Sequence, residues 1–460
     1  MLKRLFKRRD KSPADSSRPK KNSGQPTLLS ASQHALNLAD ISPGAIKVLK
    51  RLNEAGYKAY IVGGGVRDLL LGAKPKDFDI ATDAHPEQIR ALFKNSRIIG
   101  RRFRLVHVMF GREMTEVATF RAKLEDDNLT KNSTDKLDQQ RLSQHGQILR
   151  DNTFGSIEED AQRRDFTINA LYFGIDDQNI FDYCTGFDDL HTKTIRLIGV
   201  PTERYKEDPV RMLRAVRFAA KLDFSIAPDC AQPIFELGEL LENIPPARLF
   251  EENLKLFLGG YAAKAFPLLQ EYQLLQQLFP LTVTSLTNNP IAQNLIDQAL
   301  INTDIRIASR KPVTPAFLIA VFLWHPVKTR QQELLGHGLS PMAAMQKAGQ
   351  EILQQQRQRL SIPKRFTQVV KEIWDYQLRL PMRSAKRAEL LVEQPRFRAA
   401  YDFLLLREQS AEIEPGLGQW WTDYQESDLE KRHQMAVAAP RTKKHRSRKK
   451  RNRKPRPPQD

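Results

Sequence analysis

The sequence predicts an α+β protein: a small α/β head, then an elongated all-helical neck and body, with disordered basic termini. Three observations point there. Strand and helix patterns alternate between residues 45 and 173, and from Asp208 onward apolar residues recur at three- and four-residue spacing. The positive charge, meanwhile, is concentrated at the two ends of the chain. The expected organisation is a basic arm over 1–40, an α/β head over 41–175 and a helical neck over 176–260. A helical body over 261–430 and an Arg/Lys-rich tail over 431–460 complete it.

In the head, Pro43 and Gly44 precede a helix expected over Ala45 to Ala55. An apolar strand, Tyr57 to Val62, runs into Gly63, Gly64 and Gly65, and a short helix carrying Arg67 and Asp68 follows. A second strand bears Asp77 and Asp79. Pro86 opens a helix through Phe93, and strands are expected at Arg104 to Phe110 and Thr115 to Phe120, joined by a turn at Gly111. Residues 122–150 are polar and aperiodic, as expected of a mobile loop beside the site. One more short strand follows Asp176. Helices are expected over 209–222, 246–258, 365–380 and 385–407. The longest apolar run, Ala316 to Trp324, is too short to cross a bilayer and lies between Pro315 and Pro326, so a buried helix is expected.

The 460 residues carry a net charge of +19, of which residues 1–25 supply +7 and residues 441–460 supply +10. A nearly balanced centre with two basic arms is the pattern of a protein that meets a polyanion, and RNA is the favoured one. The tail is almost free of apolar residues and has little to insert into a bilayer. Leu2, Leu5 and Phe6 among the first cations leave room for weak contact with a membrane surface. The two cysteines, Cys184 and Cys230, form no metal or disulfide pattern and fit a reducing, cytoplasmic setting; the N-terminus has no secretory apolar core.

The segment IVGGGVRDLLLGAKPKDFDI, residues 61–80, carries the chemistry. Alternation along a strand places Asp77 and Asp79 on one face and Phe78 and Ile80 on the other. Two adjacent carboxylates call for a cation, and a glycine turn offers backbone N–H groups to an anion. The pair suggests a metal-bound nucleoside triphosphate. It is not a P-loop, for no GxxxxGK[ST] occurs. A third carboxylate has three candidates: Glu116 on a neighbouring strand, Asp165 in RRDFTINAL and Asp160 just upstream. In EDPVRMLRAVRFAAKL, Asp208 is placed as an N-cap with Pro209 first in the helix. Arg211, Arg214 and Arg217 then line one side, either as a solvated face or as a surface that reads a base.

GGGVRD, DFDI, RRDFTINAL and EDPVRMLRAVRFAAKL, in that order, resemble the nucleotidyltransferase branch that contains bacterial tRNA CCA-adding enzymes and bacterial poly(A) polymerases. IPKR at 362–365, PRFRAAYDFL at 395–404 and the basic tail are similar to the polymerases in particular. The resemblance implies a polymerase-beta-like head in which Asp77 and Asp79 bind metal and Asp165 is a further active-site carboxylate. It implies triphosphate contacts at Gly64 and Arg67, a nucleotide contact at Arg164, and base reading by Asp208, Arg211, Arg214 and Arg217. The implied reaction is template-independent transfer of AMP from ATP to an RNA 3′-hydroxyl with two Mg²⁺ ions, feeding RNA processing and decay. Implied partners are single-stranded RNA 3′ ends, ATP and RNA-decay proteins. CCA addition to tRNA is the alternative, and a non-catalytic RNA-binding protein is the alternative from another class.

Overall fold

A computed structural model describes residues 25–100, 104–122 and 153–438. Residues 1–24, 439–460 and nearly all of the polar 122–150 segment lie outside the described residues, while the start of the expected disordered tail, 431–438, belongs to a helix, Leu429–Ala438. Backbone contacts divide the chain after Glu207 into two units.

The first unit is built on one eight-stranded mixed sheet. Its strands are β1 (Thr27–Leu29), β2 (Ala59–Val62), β3 (Asp79–Thr82), β4 (Ser96–Ile99), β5 (Leu105–Phe110), β6 (Glu113–Thr119), β7 (Leu171–Phe173) and β8 (Ile180–Asp182). The spatial order is β1-β8-β7-β2-β3-β6-β5-β4. Every neighbouring pair is antiparallel except β3 with β6, which run parallel. A parallel step needs a crossover, supplied here by α3 (Pro86–Leu92), β4 and β5. It sets the starts of β3 and β6 at the same end of the sheet.

The two faces of the sheet have different fates. Ile61, Ile80, Val106, Val108 and Val117 are wholly buried, and α1 (Pro43–Glu54) and α3 pack on strands of this part of the sheet. The α1 helix begins two residues before its expected start, with Pro43 in its first turn and the Ser42 hydroxyl accepting the Ala45 N–H at 3.2 Å. Registration places Val62, Asp79 and Glu116 side by side on the other face. There Ala161 of α4 (Ile157–Arg163) packs with Val62, Ala81, Phe120 and Tyr172. Asp79, at the start of β3, stays exposed.

The stretch expected to be arm enters the sheet before residue 40: β1 pairs with β8 through Thr27–Asp182 to Leu29–Ile180. Backbone pairing holds it there, since only Leu29 of its three residues is buried. The remaining helices of this unit are α2 (Gly64–Leu70), α5 (Gly186–His191) and α6 (Pro201–Glu207).

The second unit is almost entirely helical. The expected helices appear as α7 (Val210–Leu222), α9 (Pro246–Phe257) and a helix over Lys364–Arg379, with α8 (Pro228–Leu237) between the first two. The run over 316–324 forms the buried helix Pro315–Phe322, and Trp324 opens the next one. The expected 385–407 helix is two helices, Ala385–Val392 and Phe397–Gln409. Pro395 lies in the gap; it lacks an N–H and disfavours helical backbone in the residue before it. Phe257, Phe266, Phe279 and Phe322 form an aromatic core in which Phe279 stacks on Phe322 at 4.5 Å. The buried Trp374 and Trp421 indoles donate to the carbonyls of Ala320 and Leu380, each at 3.1 Å. Among the described residues no helix is long and apolar enough to cross a membrane.

Candidate active site

The strand β2 ends at Val62 and the backbone turns at Gly63 with φ +70° and ψ −133°, where a side chain would be strained. A Cβ on Gly63 would sit 3.5 Å from Arg164 Nη1. A Cβ on Gly64 would meet Arg67 Nη2 at 3.4 Å, and one on Gly65 would press on the Phe78 ring at 3.2 Å. The third glycine therefore lets α2 lie directly against the Asp-Phe-Asp segment.

Along that segment Asp77 and Asp79 are exposed while Phe78 and Ile80 are buried, the alternation expected of the sequence. Asp79 faces Glu116 across the parallel pair. Its carboxyl is pushed up to about 6, first by the protein packed around it, then by Glu116 and by Asp77; Arg164 pulls the other way. His107 stands on the far side of Glu116, with Nε2 at 3.5 Å from Oε2. Among the described residues no group of three or more His, Cys, Asp or Glu side chains is arranged to hold a metal ion. Two exposed carboxylates with a third beside them still fit a hard divalent cation in donor chemistry.

Two arginines flank the glycine turn. Arg67 is buried; its Nε and Nη2 donate to Asp68 Oδ1 at 2.8 and 2.6 Å, and its Nη1 to Asn169 Oδ1 at 2.6 Å. The guanidinium expected to meet the triphosphate is thus engaged with Asp68 and Asn169. Arg164 lies over the Tyr172 ring at 5.1 Å and donates to the Tyr172 hydroxyl at 2.9 Å and to Asp160 Oδ2 at 3.0 Å. Burial opposes its charge, but Tyr172 and Asp160 outweigh burial and hold its pKa above the ordinary value. Arg204 of α6 braces the end of α4, donating from Nη2 to the carbonyls of Arg163 and Arg164, both at 2.8 Å.

The three candidate carboxylates part company. Glu116 is the one set beside Asp79. Asp160 is buried and accepts from Tyr172 at 2.6 Å, from Arg164, and from the Arg121 N–H at 3.2 Å. Asp165 Oδ1 accepts the Phe166 N–H at 2.9 Å and the Asn169 amide at 3.2 Å. Asn169 therefore ties Asp165 to Arg67. Sequence reasoning overlooked Asn169 and Tyr172, which sit in the apolar run FTINALYF; the four-residue spacing of Asp160 and Arg164 was the only hint.

In the second unit α7 presents Arg211, Arg214 and Arg217 half-buried along one side. Arg217 lies 4.4 Å over Phe218 and 4.0 Å from Glu252. The helix starts one residue later than expected, with Asp208 still capping it: Oδ1 accepts the Val210 N–H at 3.3 Å, and Oδ2 accepts Arg248 at 2.7 Å.

A glycine turn opening a short helix against paired strand carboxylates, in a mixed sheet followed by helices, defines a nucleotidyltransferase of the kind shared by poly(A) polymerases and CCA-adding enzymes. Residues 59–196 match the Poly A polymerase head domain, residues 223–285 the probable RNA and SrmB-binding site of polymerase A, and residues 337–456 the polymerase A arginine-rich C-terminus. The chain is 52% identical over 409 residues to poly(A) polymerase I of Escherichia coli O6:H1, covering 88% of this chain and 86% of that protein. The CCA-adding enzyme of Lactobacillus gasseri is 38% identical over 230 residues, 50% of this chain and 54% of that protein. A crystal structure of the Bacillus stearothermophilus CCA-adding enzyme with CTP superposes with a TM-score of 0.52 at 25% identity, covering 86% of this chain and 83% of that one. The chain belongs to the bacterial poly(A) polymerase I family, and it is an enzyme of the nucleotidyltransferase class.

Proposed function

We propose that the head joins AMP from ATP to the 3′-hydroxyl of RNA without a template, with these residues in the following roles. Asp77 and Asp79 hold Mg²⁺, and Glu116 and Asp165 complete the acidic surround. Bound there, Mg²⁺ lowers the pKa of the attacking hydroxyl and neutralises charge that develops on the leaving pyrophosphate. The backbone N–H groups at Gly64 and its neighbours face the triphosphate, and Arg164, fixed by Tyr172 and Asp160, carries positive charge to the same turn. Arg67 holds the turn in shape through Asp68 and Asn169. The RNA 3′-oxygen attacks the α-phosphorus, and the bond to the bridging oxygen of pyrophosphate breaks. Asp208 and Arg211, with Arg214 and Arg217, read the adenine edge, where a carboxylate acceptor and guanidinium donors supply the hydrogen bonds.

Sequence identity of 52% to a poly(A) polymerase across 88% of the chain supports the choice of reaction, for sequence similarity to the Lactobacillus gasseri CCA-adding enzyme is lower, 38%, and covers 50% of it. The basic arms suit RNA of any sequence, since phosphate contacts carry affinity without reading bases. We place the enzyme in the cytoplasm, acting on transcripts bound for processing and decay, in the company of RNA-decay proteins. The test is primer extension with Mg²⁺, on unstructured RNA and on tRNA lacking its 3′ end. A long ladder with ATP alone on the unstructured RNA is expected. A short C-then-A addition confined to the tRNA would overturn the substrate assignment.

A further inference from the structure

The reaction needs a second substrate site in the head. The triphosphate occupies the glycine turn, so the RNA 3′ end must reach the same carboxylates over other ground. A cleft of about 900 Å³ includes Asp77 but neither the glycine turn nor Arg164. Its walls are the segment joining α2 to β3, the turn joining β5 to β6, and the chain leading into α1.

Three cations stand on those walls. Lys74 and Lys76 precede Asp77, and Arg112 follows Gly111 at the tip of the β5–β6 turn; all three are exposed, and none has an ion-pair partner among the described residues. Glu113, next to Arg112, has its carboxylate turned toward Gly44 at the start of α1, 2.7 Å from where a Cβ on that glycine would lie. Between the cations the walls carry Leu69, Leu70 and Pro75 on one side and the 44%-exposed Met114 on the other; Asp40, in the chain leading into α1, and Asp77 are the exposed carboxylates of the lining. Unpaired cations at intervals with apolar surface between them suit a strand of phosphodiesters carrying flat bases.

We propose that this cleft seats the 3′-terminal nucleotides of the RNA primer, with Lys74, Lys76 and Arg112 on their phosphodiesters, so that the last hydroxyl arrives at Asp77. The proposal rests on the nucleotidyl-transfer reading above. Phosphate chemistry has two sources here, RNA and departing pyrophosphate, and the cleft is assigned to RNA because it lies apart from the turn that holds the triphosphate.

The experiment uses the full chain, a short oligoadenylate and ATP, and compares Lys74→Ala/Lys76→Ala/Arg112→Ala with the charge-keeping Lys74→Arg/Lys76→Arg/Arg112→Lys. Removing three phosphate-binding cations should raise the KM for RNA roughly tenfold or more and flatten its log–log salt dependence by about 2. The KM for ATP should stay where it was, and the charge-keeping variant should behave as the parent does. An unchanged KM and salt slope for RNA, in a variant that melts where the parent melts, overturns the proposal. So does a raised KM for ATP or weakened inhibition by pyrophosphate with the RNA terms unmoved, which would give the cleft to the triphosphate end. A parent chain that extends no RNA takes down the nucleotidyl-transfer reading itself, whereas an active parent with an indifferent variant takes down only the cleft.

Discussion

Asp79, placed above as a metal ligand by proposal, sits where its charge costs stability. Its carboxyl, raised to about 6, is ionised at neutral pH against the preference of its surroundings. A folded-state pKa above the unfolded value means that the native state binds the extra proton between roughly pH 4 and pH 6. Stability from this group is therefore present at low pH and falls as pH rises through about 6. Asp79→Asn should stabilise the metal-free protein above that pH by no more than about 1 kcal/mol in denaturant unfolding, because the group is open to solvent and screened. The same change should cut turnover about 1,000-fold. Mg²⁺ affinity of the parent, measured by calorimetry, should climb as pH passes through about 6, because the proton must leave before the cation enters. Asp160 presents the opposite case. Asp160→Ala leaves Arg164 and Tyr172 without their shared acceptor and should cost about 3–5 kcal/mol in denaturant unfolding.

At the level of elements, the site depends on where strands end. Gly63 holds a positive φ with ψ −133°, a region sparsely open to side-chain residues, so Gly63→Ala should cost about 1–3 kcal/mol, and it should raise the KM for ATP more than it lowers kcat. This turn and the alternation along Asp77, Phe78 and Asp79 were legible in the sequence because both are local, although the strand expected to bear both aspartates begins only at Asp79 and Asp77 lies just before it. The partner of Asp79 was not settled in the same way. Strand order and the parallel β3–β6 step put Glu116 beside it, and neither is written into a short window. Asn169 and Tyr172 escaped notice because a polar group serving a guanidinium looks like any other in a buried run; Asn169 closes a short 3-10 helix and Tyr172 lies in β7. The helix over 385–407 was read too long because its apolar spacing persists on both sides of Pro395, whose missing N–H decides the break.

At the scale of the whole molecule, the proposed reaction and the proposed hold on RNA fall on different parts of the chain. Ends that supply +17 of a net +19 leave the folded part close to neutral, so RNA affinity and RNA turnover should respond to different edits. Deleting residues 441–460 should flatten the salt dependence of RNA binding by several units, at about 0.7 for each single-strand phosphate that the tail no longer neutralises. In a low-salt assay the KM for RNA should rise far more than kcat falls. A salt slope that survives the deletion would assign the grip to the helical body instead.

The clasp between Arg67 and Asn169 spans 102 residues of chain, and β2 receives its neighbour β7 across a similar interval. A ribosome making this protein thus releases the Asp-Phe-Asp strand long before the residues that complete its surroundings. Until Asn169 and β7 emerge, β2 has an unpaired edge and Arg67 lacks one of its acceptors. Nascent and prematurely ended chains would carry Asp77 and Asp79 without the partners that close around them, a built-in delay between synthesis of that segment and completion of its surroundings.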